Sequence, residues 1–146
     1  MIRLEEINSN NWRVDLHVSK NQKNFVADQY KLLARAYAYR KVGSKALMIY
    51  NDDIPIGMAL YYECEEYQAY DFNQLFIDER YQRKGYGLEA AKLILNKMKQ
   101  DGKYQKVILC YIESNYAAKN LYEKCGFYLT GERDENEIVM EKILNI

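Results

Sequence analysis

The six residues Gln82-Arg83-Lys84-Gly85-Tyr86-Gly87 have the types and spacing of an anion site. Two glycines let backbone approach a ligand with no Cβ in the way, and Arg83 and Lys84 add two cations. Residues 72–77 before them read as a strand and residues 88–99 after them as a helix. A helix that starts at such a turn points its first, unpaired N–H groups into it, and its dipole favours negative charge there. The predicted guest is a phosphate or pyrophosphate. Lys84 precedes Gly85, so the Gly-Lys-Ser/Thr ending of a nucleoside-triphosphate loop is absent. Gly85-Tyr86-Gly87-Leu88-Glu89-Ala90 does satisfy the loose dinucleotide pattern, but the chain shows only one clear βαβ unit.

Proton transfer has few candidates. His17 is the only histidine, which nearly excludes histidine triads and histidine-rich metal sites and leaves carboxylates, tyrosines and water. Cys64, Cys110 and Cys125 are widely spaced without a C-x-x-C pair, so neither a disulfide framework nor a zinc site is indicated. Fifteen tyrosines stand against four phenylalanines. Tyrosine offers apolar area with a polar tip, which suits a wet-edged core or a pocket for a long cationic ligand.

Lys plus Arg and Asp plus Glu both number 21, so no overall basic field argues for nucleic acid or a membrane surface. The 146 residues fit a single domain over 1–146. The start, Met1-Ile2-Arg3-Leu4-Glu5-Glu6, is too charged for a secretion signal, and no run has the length of a membrane span. A cytoplasmic location is expected.

The elements that must position these groups follow from periodicity. Residues 2–7 alternate as a first strand, and Asn8 to Asn11 offer caps for a helix over 12–18 that would place Trp12, Leu16 and His17 on one face. A second helix is expected over 25–37, with Val26, Tyr30, Leu33 and Tyr37 at helical spacing. Residues 46–50 and 54–62 read as a hairpin about Asn51-Asp52-Asp53. Residues 68–77 give a long central strand, whose Leu75-Phe76-Ile77 is apolar on both faces, as in a strand covered on both sides. In the helix over 88–99, Leu88, Ala91, Ile94, Leu95 and Met98 form one stripe, with Gly102 just past its end. A strand over 106–111 should then pair parallel to the central one through a right-handed crossover. A short helix over 116–124 and a hairpin of 127–131 with 137–143 close the chain. Periodicity alone gives an α/β chain with a mixed sheet.

Two stretches carry a family resemblance. Gln82, Gly85 and Gly87 match every fixed position of Gln/Arg-x-x-Gly-x-Gly/Ala, the pyrophosphate loop of the GNAT superfamily of acetyl-CoA-dependent N-acetyltransferases. Residues 115–127, with Asn115, Ala118, Leu121, Tyr122, Gly126 and Phe127, resemble its second signature, N-x-x-A-x-x-L-Y-x-x-x-G-F. The order of elements is also similar. The resemblance implies the GNAT fold: a mixed central sheet of about seven strands, a parallel pair splayed at its centre, and helices on both faces. Within the superfamily the chain most resembles bacterial spermine/spermidine acetyltransferases, through Tyr81-Gln82-x-Lys84-Gly85-Tyr86-Gly87 and a pattern of Asn24, Phe25, Val26, Ala27, Leu33, Ala34, Ala36, Tyr37 and Tyr39.

That resemblance implies acetyl-CoA as co-substrate, no metal, and a primary amine, specifically a polyamine, as acceptor in a ternary complex. Relatives are often homodimers. Backbone of Leu75, Phe76 and Ile77 would hold the pantetheine arm and thioester, and Gln82, Arg83, Lys84, Gly85, Tyr86, Gly87 and Leu88 the pyrophosphate. Asn115 and Lys119 would add contacts, although an Asn is equally at home as a helix cap. Tyr122 would protonate the departing thiolate, since thiols ionise near about 8.5 and tyrosine keeps its proton to about 10. Deprotonating an amine of pKa ~10.4 at pH 7 costs about 4–5 kcal/mol, so a base is also needed. Here the chain departs from many relatives, with Asn73 and Gln74 where an acidic residue is common. Asn73 and Glu63 are site candidates, and Asp71, Glu65 and Glu66 are the remaining nearby carboxylates. Two other functions stay open: acetylation of a protein N-terminus, and catalytically silent binding of acyl-CoA.

Overall fold

Runs rich in β-branched and aromatic residues form seven strands: β1 Ile2–Glu6, β2 Lys45–Asn51, β3 Ile54–Cys64, β4 Ala69–Ile77, β5 Lys106–Ile112, β6 Tyr128–Asp134 and β7 Glu137–Ile143. Among the described residues three α-helices join them: α1 Gln29–Ala38, α2 Tyr86–Asp101 and α3 Tyr116–Lys124. The computed structural model describes residues 1–23, 25 and 28–145, so Asn24, Val26 and Ala27 of the second-helix pattern lie outside the described residues. The strands make one sheet in the order β1-β2-β3-β4-β5-β7-β6, antiparallel throughout except for β4 with β5. The expected parallel pair and helices on both faces are therefore present.

Each face of the sheet has its own core. The α2 stripe of Ala90, Ala91, Ile94, Leu95 and Met98 packs with Leu47, Ile49, Tyr70, Phe72, Val107, Leu109 and Met140. On the other face, Leu32 of α1 and Leu16 pack with Met48, Met58, Leu60, Tyr62 and Phe76. Among the described residues no helix is long and apolar enough to cross a membrane.

The helix expected over 12–18 does not form. Asn8 and Asn11 satisfy each other's turn instead, with Asn8 N donating to Asn11 Oδ1 at 2.8 Å and the N–H groups of Asn10 and Asn11 donating to Asn8 Oδ1. Further on, Leu16 N donates to Gln29 Oε1 at 2.7 Å and His17 N to Asp78 Oδ2 at 2.9 Å. These distant acceptors hold the segment to Gln29 and Asp78, so the donors that a helix would use are already taken. The helix expected from residue 25 begins at Gln29, where the Asp28 side chain accepts from Lys31 N.

Two features of β4 shape the centre. Its pairing with β3 runs Leu60 to Gln74 and then Tyr61 to Phe72, which leaves Asn73 as the extra residue of a β-bulge. The bulge shifts the alternation by one residue, so that Phe72 and Ile77 both reach the α2 side while Phe76 reaches the α1 side. The parallel ladder to β5 holds only at Tyr70–Val107 and Asp71–Ile108. Beyond these pairs β4 runs on to Ile77 and β5 to Ile112 without pairing to each other.

Candidate active site

The parted strands open a cleft of about 1160 Å³. Its walls are β4 from Asp71 to Ile77 and β5 from Cys110 to Ile112, its far end is the turn into α2, and the segment holding Ser19, Gln22 and Phe25 borders it. Where β4 has parted from β5, its backbone lies along the cleft, as an extended ligand would need.

At the far end, α2 starts with bare amides. Its first residue follows Gly85, which has φ +80° and supplies no side-chain cap. Arg83 is also left-handed at φ +63°, a conformation that bulky residues seldom adopt away from functional turns. A Cβ on Gly85 would meet open space, whereas one on Gly87 would lie 3.2 Å from Leu121 Cδ1 and 3.7 Å from Ile77 Cγ1. The two glycines thus serve different ends. Gly85 makes the turn and leaves the approach clear, and Gly87 lets α2 pack closely on α3 and β4.

The candidates named from sequence fall into three groups. Leu75, Phe76, Ile77, Gln82, Arg83, Gly85, Tyr86, Gly87, Leu88, Asn115, Tyr122 and Asn73 all line the cleft. Gln82 is engaged by protein, its amide donating to Ile77 O at 2.9 Å and Gln22 Oε1 at 3.0 Å, so it fixes the turn and ties it to the bordering segment. The Asn115 side chain accepts from Ala118 N and caps α3. Lys84, Lys119 and Glu63 are not among the lining residues: Lys119 pairs with Glu123 at 3.5 Å, one helical turn on, and Glu63 accepts from Lys103.

Tyr122 projects from α3 into the α2 side of the gap. Its ring meets Phe72 and Phe127 edge-on, with centroids 5.8 and 5.6 Å away. Burial raises its hydroxyl well above the ordinary range, so it holds its proton at any physiological pH.

The α1 side is polar. Arg35 Nη1 donates to Asn73 Oδ1 at 2.7 Å, and Asn73 Nδ2 donates to the Tyr62 hydroxyl at 2.8 Å. Tyr62 in turn stacks on Tyr39 with centroids 4.2 Å apart. Burial pushes the Asp71 carboxyl up to about 6, opposed by the Asn73 amide and the charge of Arg35 and aided by Glu137. The Cys110 thiol is raised to about 11 by burial and then by Glu137, Asp71, Asp134 and Glu132, which marks this end as acidic. Sequence reasoning missed Arg35, Glu137 and Cys110, because only tertiary structure brings β7 and α1 to the cleft. It also had no ground for setting Asp71 above the other carboxylates.

The site therefore combines a helix start without a side-chain cap, the stretch of β4 that has parted from β5, a proton-holding tyrosine and an acidic opposite wall. The chain is 35% identical over 141 residues to the spermine/spermidine N(1)-acetyltransferase of Bacillus subtilis, covering 90% of each chain. A spermidine N-acetyltransferase of Vibrio cholerae, solved with CoA and spermine, superposes with a TM-score of 0.78 at 18% identity, over 98% of this chain and 95% of that one. The ribosomal-protein-S18-alanine N-acetyltransferase of Escherichia coli superposes with a TM-score of 0.76 at 15% identity, over 100% and 96% of the two chains. Residues 4–127 match the model of the acetyltransferase (GNAT) family, and the chain belongs to that family.

Proposed function

We propose that this protein transfers an acetyl group from acetyl-CoA to a primary amine of a polyamine such as spermine or spermidine, by direct attack within a ternary complex. The observation that carries the reading is a single cleft with unlike ends: bare helix amides beside Arg83 at one, and Asp71 with Glu137 at the other. The first end suits a diphosphate, and the stretch of β4 that has parted from β5 suits the amide-bearing arm between diphosphate and thioester. The second end suits a cation. The relative in Bacillus subtilis, named for spermine and spermidine, supports the same acceptor. The likeness to the S18-alanine enzyme, only 0.02 lower in TM-score than to the spermidine enzyme, shows that the shared fold does not choose between acceptors.

In this reading a backbone N–H of Leu75, Phe76 or Ile77 faces the acetyl oxygen and stabilises the oxyanion. Tyr122 donates to the sulfur as the C–S bond breaks. Burial holds the tyrosine proton tightly, but it raises the thiol in the same dry gap too, so the two remain matched for transfer. Asn115, which caps α3, and Lys84, outside the lining, are given no direct contact with the cofactor in this reading. The protein is proposed to act as a single catalytic domain over residues 1–146 in the cytoplasm, with a small amine rather than nucleic acid or membrane as partner.

Steady-state acetylation of spermine, spermidine and putrescine, beside lysine, an aminoglycoside and peptides with free N-termini, tests this. Preference for the polyamines is expected. Turnover of the peptides alone would favour the N-terminal reading, and tight acetyl-CoA binding with no turnover of any amine would favour a silent binding protein.

A further inference from the structure

We propose that the Asp71 carboxylate is the general base of acetyl transfer and that Asn73 and Arg35 position it; the inference rests on the acetyltransfer reading above. Strand register places the group. Asp71 is the cross-strand partner of Tyr62, whose side chain packs in the α1-side core, and it stands opposite Ile108 in the last parallel pair before the strands part. Its side chain is thus on the α1 face at the head of the gap, and it lines the cleft. Tyr122 reaches the same gap from the α2 face, between Phe72 and Phe127. A thioester lying in the gap has a proton acceptor on one side and a proton donor on the other.

Asn73, at the bulge, is the connector. It accepts from Arg35 of α1 and donates to Tyr62 of β3, the cross-strand partner of Asp71, and its amide draws the Asp71 carboxyl back toward its ordinary value. A neutral amide at this position leaves Asp71 as the negative group beside Arg35, where an acidic residue would have paired with that guanidinium itself. The groups facing Asp71 are Arg35 from α1, Tyr62 from β3, Cys110 from β5 and Glu137 from β7. Glu63, by contrast, pairs across β3 and β4 with Tyr70, a core residue of the α2 side, and is held by Lys103.

The protons balance. The acceptor nitrogen forms the C–N bond as the C–S bond breaks, and from ammonium to amide it sheds two protons. Asp71 takes each in turn, directly or through one water, and releases it to solvent. Sulfur receives one proton from Tyr122, which solvent replaces, so one proton is released per turnover. A carboxyl near 6 is mostly ionised at neutral pH yet a stronger base than an ordinary aspartate.

The test is the pH profile of kcat/KM with acetyl-CoA and spermidine, read together with calorimetric binding of acetyl-CoA. Wild type should lose activity as pH falls through about 6. Asp71→Asn should lower kcat by about 10²–10³ and remove that limb, with acetyl-CoA affinity unchanged. Asn73→Ala should move the limb to higher pH, because the amide it removes lowers the carboxyl. Folding is checked by sign: the raised value means that ionised Asp71 destabilises the fold above about 6 and not below the ordinary carboxylate range, so Asp71→Asn should melt no lower than wild type at neutral pH. An active wild type beside Asp71→Asn within about threefold of its kcat overturns the role of Asp71 alone. An unmoved limb in Asn73→Ala overturns the positioning role. A wild type that acetylates no polyamine overturns the function, and the base with it.

Discussion

Helices α2 and α3 both open onto the cleft, through Tyr86 and Gly87 in one case and Tyr116 and Ala117 in the other, yet their first turns are finished differently. At α3 the Asn115 side chain accepts from Ala118 N, so the protein satisfies its own donor. At α2 no side chain does so, and Gly85 in a left-handed turn leaves the amides facing the cleft. The same backbone feature is thus closed in one place and left open for a ligand in the other. What α3 brings to the site comes from its body, through Tyr122. The largest expected effect breaks this contrast at α2. Gly85→Glu places a carboxylate where a Cβ now meets open space and strains a φ of +80°. Acetyl-CoA affinity, measured by calorimetry, should fall by at least about 10²-fold through lost anion stabilisation and direct repulsion. Retained affinity would mean that the diphosphate rests elsewhere.

This contrast also marks what the sequence could reveal. Gly85 and Gly87 announced the open turn because a positive φ and a close helix crossing both demand glycine, although only the fold assigns one task to each. The bounds of α3 and β7 were legible too, since Asn115, Gly126 and the Asp134-Glu135-Asn136 turn are strong local punctuation. The helix expected over 12–18 failed for the opposite reason. Its periodicity was sound, but Gln29 and Asp78 take the N–H groups of Leu16 and His17 from 13 and 61 residues away. The polar wall was hidden in the same way, because a bulge at Asn73 and the arrival of Arg35 and Glu137 are events of strand pairing and packing. No spacing rule joins those residues.

An intermediate effect tests the body of α3. Tyr122→Phe keeps both edge-on ring contacts and removes only the hydroxyl. The expected result is a fall in kcat of about 10² with acetyl-CoA affinity unchanged, because the proton is needed only as sulfur departs. Parallel losses in kcat and affinity would instead make Tyr122 a packing residue. With the Gly85 variant, this separates a helix that holds the cofactor from one that acts on it.

The smallest expected effect sharpens the contrast at the start of α3. Asn115→Ala removes the acceptor for Ala118 N and should cost about 1 kcal/mol of stability, a fall in Tm of about 2–4 °C for a chain of this size. Acetyl-CoA affinity should barely change, since on this account the side chain is spent on its own helix. Asn115→Ser then divides cap from contact. Serine caps about as well as asparagine but has no amide donor, so a cap alone predicts that Ser restores the melting temperature and leaves affinity intact. Restored stability with weakened binding would show that the Asn115 amide reaches the ligand while its oxygen holds the helix, and the two helix starts would then share the cofactor.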